Sequence, residues 1–143
     1  MNIIQIDKTN VKSIATFIAE NKYSCEDLAA TFKGDLSRQE VNKQWMKFII
    51  RNNATIKSIV IDCQNNKTTA ITFSGILDIT YADLVSLFGE GKEYYERYDD
   101  TIEFLFGEAN FDNYDIKCFI LNDDKKKTDW QNEKLENISI HLT

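Results

Sequence analysis

Residues 55–75, TIKSIVIDCQNNKTTAITFSG, switch the chain to a period of two, and this constrains the fold more than any other stretch. Ile59, Ile61 and Cys63 share one face of the first run, with Val60 making the other side apolar as well. Thr69, Ile71 and Phe73 share one face of the second run. QNNK between them is a turn, and Asn65-Asn66 tolerate the positive φ of a tight hairpin. The reading is a β-hairpin. Hairpins pair strands antiparallel, and a sheet with an apolar face needs a cover.

Helices supply that cover in the reading of the remaining chain. Val11, Ile14, Phe17 and Ile18 recur at helical spacing and predict a helix over 10–21, with Asn10 as N-cap. Ser24 and Asp27 open a second helix, 24–33, with Leu28 and Phe32 inward and Gly34 as its stop. Ser37 and Glu40 form a capping box for a third helix, about 37–52, whose stripe is Val41, Trp45, Phe48 and Ile49. Thr80 caps a short helix with Asp83 at its third position and Gly89 as its stop. Strands follow at 93–98 and 101–106 around an Asp99-Asp100 turn, at YDIKCFIL (114–121), and at ENISIHL, where Ile138, Ile140 and Leu142 point inward and His141 outward. The expected class is α+β: N-terminal helices packed on an antiparallel sheet made of a hairpin and a C-terminal meander, with one short inserted helix. No internal repeat stands out. The whole chain, 1–143, reads as one domain, with 75–76 as the alternative boundary between a helical/hairpin half and an acidic helix-plus-meander half.

Charge divides at the same place. Residues 1–75 hold ten Lys/Arg against seven Asp/Glu, a net +3; residues 76–143 hold seven against sixteen, a net −9. No apolar run approaches the ~18 residues of a membrane span. The N-terminal MNIIQIDKTN lacks the basic start and long apolar run of a secretory signal, so the expected compartment is the cytoplasm. Cys25, Cys63 and Cys118 are odd in number and widely spaced, which predicts reduced, buried thiols.

Motifs for chemistry are missing. There is no G-x-S-x-G, no G-x-x-x-x-G-K and no G-x-G-x-x-G. NDDKKKTD has oxygens but not the spacing of a calcium loop. His141 is the only histidine, so an enzyme would need an acid, Cys63 or Cys118 to meet it. The expectation is no catalytic residue, no metal and no cofactor. What remains is a crowd of aromatics and acids. Tyr94, Tyr95, Tyr98, Asp99, Asp100, Glu103 and Asp112 are the candidate partner-binding residues, because tyrosine gives large contact area at low entropy cost and acids steer toward a basic partner.

Two resemblances add to this. YSCEDLAATFKGDLSRQEVNKQWMKFIIRNN (residues 23–53) resembles a helix-turn-helix, with the 56–74 hairpin as a wing. That resemblance implies a nucleic-acid regulator reading DNA through Arg38, Gln39, Asn42, Lys43 and Lys47. Against it stand the acidic balance of the chain and the direct run from the first helix to the second. ITYADLVSLFGEGKEYYERYDDTIEFLFG, YDIKCFIL and Trp130 resemble small acidic bacterial immunity-type proteins, in which a short helix precedes an aromatic-rich antiparallel meander. Gly91 stands where such chains often carry proline. Similar units occur in β-lactamase-inhibitor-type folds, which are secreted. The resemblance implies a cytoplasmic protein that binds and neutralises a basic partner such as a toxin domain, with no membrane and, under this reading, no nucleic acid.

Overall fold

The computed structural model describes residues 5–21, 23–32, 36–42, 44–95, 101–106, 114–121 and 130–142. Among the described residues there are three helices: α1 (Val11–Asn21), α2 (Cys25–Thr31) and α3 (Tyr81–Phe88). Eight strands accompany them: β1 (Leu36–Asn42), β2 (Trp45–Ile50), β3 (Ile56–Gln64), β4 (Lys67–Gly75), β5 (Lys92–Tyr95), β6 (Thr101–Phe106), β7 (Tyr114–Leu121) and β8 (Asn137–Leu142). A 3-10 turn, Trp130–Asn132, precedes β8.

Local chemistry accounts for the element ends. Ser24 Oγ accepts from the Asp27 backbone N–H, and Thr80 and Asp83 complete a reciprocal capping box. Gly89 ends α3 at φ +80°, a conformation that glycine adopts without a Cβ penalty. Asn65 and Asn66 both take positive φ, as the hairpin turn between β3 and β4 demands.

All eight strands form one antiparallel sheet in the order β1-β2-β3-β4-β8-β7-β6-β5. Two four-stranded meanders, β1–β4 and β5–β8, therefore lie back to back across the β4–β8 pairing, each preceded by a capped helix. The helices echo one another in sequence: Ser24-x-x-Asp27-Leu28-x-x-x-Phe32 and Thr80-x-x-Asp83-Leu84-x-x-x-Phe88. Both leucines are fully buried, and so, nearly, are both phenylalanines. Each capping residue also bridges to the stretch that enters the last strand of its unit, Ser24 to Lys67 and Thr80 to Lys134.

One face of the sheet meets the helices. Phe48, Ile59, Ile61, Ile71, Phe73, Phe106, Ile116, Cys118, Ile138 and Ile140 join Val11, Ala15, Ile18, Leu28 and Leu84 in one core. Phe32 packs edge-on against Phe48, and Tyr81 and Phe88 pack on Phe106. The inward assignments of Ile59, Ile61, Cys63, Ile71, Phe73, Ile138 and Ile140 hold; Leu142 is only half-buried.

Two expectations are overturned. Residues 37–52 are not a helix: β1 and β2 form a hairpin around Asn42 and Gln44, so the sheet has four N-terminal strands rather than two. The Asn42 carboxamide oxygen accepts the backbone N–H groups of Gln44 (2.7 Å) and Trp45 (3.2 Å), fixing the turn. Pairing of β2 with β3, Trp45 opposite Asp62 through Ile49 opposite Ser58, is the tertiary contact that overrides the helical stripe. The thiols also differ. Cys25 and Cys63 are joined by a disulfide, and Cys118 is a buried free thiol. The bond ties the first residue of α2 to β3, and beside it Cys25 N–H donates to Asn66 O in the β3–β4 turn and Tyr23 O accepts from Thr68 N–H on β4. Gly34 lies outside the described residues; α2 ends at Phe32.

Candidate protein-binding surface

The sheet face opposite the helices carries no described element, and the strand register lays its residues out in rows. One row crosses six strands: Asn42, Trp45, Asp62, Ala70, His141 and Asp115. The next crosses all eight: Gln39, Lys47, Val60, Thr72, Ser139, Lys117, Leu105 and Lys92. A hydrogen bond between the Thr72 and Ser139 hydroxyls spans the β4–β8 seam on this face. Trp45, Lys47, Asp62, Asp115, Lys117 and His141 are all half-buried, so each shows part of its surface to solvent.

Asp62 is the perturbed group. Its burial disfavours the charged form and holds the carboxyl above the usual carboxylate range, and the charge of nearby His141 partly offsets this. The register places Asp62 and His141 on either side of Ala70, itself 3% exposed. Backbone contacts fix the position of Asp62. Its carbonyl accepts from Thr69 Oγ1 at 3.2 Å, the next residue is the disulfide cysteine, and Cys63 N–H donates to Gln44 O at 2.6 Å. The ladder is also irregular between Asp62 and Cys63, and bulges of this kind re-aim side chains beside sites.

A carboxylate kept partly desolvated costs stability in its ionised form. Asp62→Asn is therefore expected to leave the protein as stable at pH 7 or to stabilise it by about 0.5 kcal/mol. The sign follows from linkage. With the folded pKa raised, the wild-type carboxyl is least costly when protonated, and the cost appears as pH rises through the folded pKa. The gap between variant and wild type should thus close on acidification, as read by thermal melts at pH 7 and pH ~3.5. A variant clearly less stable at pH 7 would show that the ionised carboxylate holds the fold together.

The residues expected from sequence fare unevenly. Tyr94 and Tyr95 lie on β5 and Glu103 on β6, and the register sets Tyr94 opposite Glu103 and Tyr95 opposite Ile102. Tyr98, Asp99, Asp100 and Asp112 lie outside the described residues. The five nucleic-acid candidates do not share a helix. Arg38 is held on the helix side, donating to both carboxylate oxygens of Glu26 on α2 at 3.1 and 2.8 Å, and this draws the Glu26 carboxyl below its ordinary value. Gln39 and Lys47 pair across β1 and β2 on the row opposite. Asn42 closes the turn, and Lys43 lies outside the described residues. No recognition helix exists there to enter a groove.

Sequence reasoning passed over Trp45, Asp62, Asp115 and His141 as a set. Periodicity puts Asp62 on the Val60 side and His141 outward, which is correct. Their meeting depends on pairing β3, β4, β8 and β7, which are far apart in the chain. Cys63 and Cys118 do not reach His141: the first is bonded to Cys25, and the second belongs to the helix-side core. Among the described residues no group of three or more His, Cys, Asp or Glu could hold a metal ion, and no helix is long and apolar enough to cross a membrane. Comparison of the chain with known protein families, with curated proteins and with solved structures finds no match.

Proposed function

We propose that this protein is a non-catalytic binding module that neutralises a basic protein partner, in the manner of an immunity or inhibitor protein. The observation that carries the reading is the face of the eight-stranded sheet opposite the helices, on which none of the described elements packs. Strands spaced ~4.8 Å apart make that face roughly 34 Å wide, room for the ~800 Å² that each partner buries in a standard interface. Its half-buried tryptophan suits an interface core, where aromatic residues are enriched. The −9 of residues 76–143 supplies long-range attraction, with Tyr94, Tyr95, Tyr98, Asp99, Asp100, Glu103 and Asp112 as the acidic aromatic contact set. The disulfide favours an oxidising compartment over the cytoplasm expected from the N-terminal sequence, since such bonds are rare where thiols are kept reduced.

Tagged protein used as bait should retain one basic protein. The purified pair should then bind at least tenfold more weakly at ~500 mM than at ~100 mM salt. Reversing charge at Asp99, Asp100 and Glu103 together should weaken the pair by a further tenfold or so at low salt, mainly by slowing association. Recovery of nucleic acid in place of a protein would overturn the reading, and unchanged affinity after charge reversal would remove that patch from it.

A further inference from the structure

The sheet face away from the helices carries a smaller feature that names the partner's chemistry. We infer that Trp45, Asp62 and His141, around Ala70, form a subsite that receives one arginine side chain of the basic partner; this rests on the binding-module reading above. Trp45 and Asp62 stand directly opposite each other on β2 and β3, about 5 Å apart at their β-carbons. An indole beside a carboxylate offers a guanidinium both a ring to stack on and two oxygens to pair with, a combination that suits arginine better than lysine. Ala70, 3% exposed, lies between Asp62 and His141 in the row, which then ends at Asp115.

Rigidity supports the assignment independently of charge. Asp62 sits at the ladder irregularity, next to the cysteine bonded to α2 and beneath the Thr69 hydroxyl. A carboxylate on a fixed backbone and already partly desolvated loses less hydration when a cation docks than a fully solvated one would. Lys47, Lys117 and Lys92 occupy the neighbouring row, three lysines against the two aspartates. The subsite therefore selects by direct pairing geometry and not by bulk negative charge.

The test uses N-acetyl-arginine amide as the probe, titrated into the isotopically labelled full chain and followed by NMR. Saturable shifts at the Trp45 indole N–H and the His141 ring, about tenfold weaker in Asp62→Asn and weaker again with N-acetyl-lysine amide, are expected. In the purified pair, Asp62→Asn should weaken binding by about tenfold while its melting curve shows an intact fold. Shifts that never saturate, or that acetate produces equally, overturn the subsite. If a basic partner binds and Asp62→Asn changes nothing, the subsite falls and the binding-module reading stands. If no basic protein binds, that reading falls, and the probe titration still decides the subsite.

Discussion

Gly75→Ala is expected to cost more than about 4 kcal/mol and to leave little folded protein at 37 °C. Gly75 closes β4 at φ +152°, outside the range that side chains favour, and an added Cβ would lie 2.0 Å from the Thr55 carbonyl oxygen and 3.0 Å from the Lys57 nitrogen. Neither neighbour can retreat. Thr55 O accepts the Ile76 N–H at 2.9 Å, Gly75 N–H donates to Glu136 O at 2.9 Å, and Ile56 pairs with Gly75 at the end of the ladder. Gly89→Ala is the control. It too has positive φ, but nothing lies within 4 Å of its added Cβ, so only the backbone strain of about 1–3 kcal/mol is expected. Urea titrations of the two variants should separate widely. Similar midpoints would mean that the β4 exit is not packed against Thr55.

Loss of the Cys25–Cys63 bond is the second large effect. The bond closes a loop spanning 38 positions, and removing it releases roughly 4 kcal/mol of chain entropy to the unfolded state. Replacing both cysteines by alanine should lower the melting temperature by ten degrees or more. Both sulfurs belong to buried residues, Cys25 wholly so, and reductant should act slowly at 25 °C and readily in urea. The expected melt of the oxidised protein lies well above that of protein reduced while unfolded. Coincident melts would mean that the bond contributes nothing to stability.

The residues that misled the sequence reading explain their own failure. Val41, Trp45 and Ile49 are spaced by four, a spacing that repeats on one face of a helix and equally on one face of a strand. Only Phe48 distinguishes the two, because it joins the core while Trp45 and Ile49 lie on the other face of the sheet, opposite Asp62 and Ser58. Ser37 and Glu40 looked like a capping box because those residue types serve in strands as well. Where the two periods disagree, as at Ile59, Ile61 and Cys63, or where a turn demanded positive φ, as at Asn65 and Asn66, local pattern was enough. The short helix at 81–88 was legible because Thr80, Asp83 and Gly89 act within one turn of its ends. The candidate surface was not legible, because Trp45, Asp62, His141 and Asp115 are brought together by register between strands up to 96 positions apart in the numbering. The repeated helix escaped notice because it shares few positions, and those are the ones that any capped amphipathic helix would use.

The seam between the two meanders also sets an order of events during synthesis. β1 to β4 pair through near neighbours and can assemble as soon as residue 75 is available, but β4 then waits for β8, which begins at Asn137. Until then the nascent chain presents Ile71 and Phe73 along an unpaired strand, an edge that another chain could take. Newly made molecules are thus open to mispairing for the few seconds that some 60 residues take to add, and slower elongation across 76–136 would lengthen that exposure.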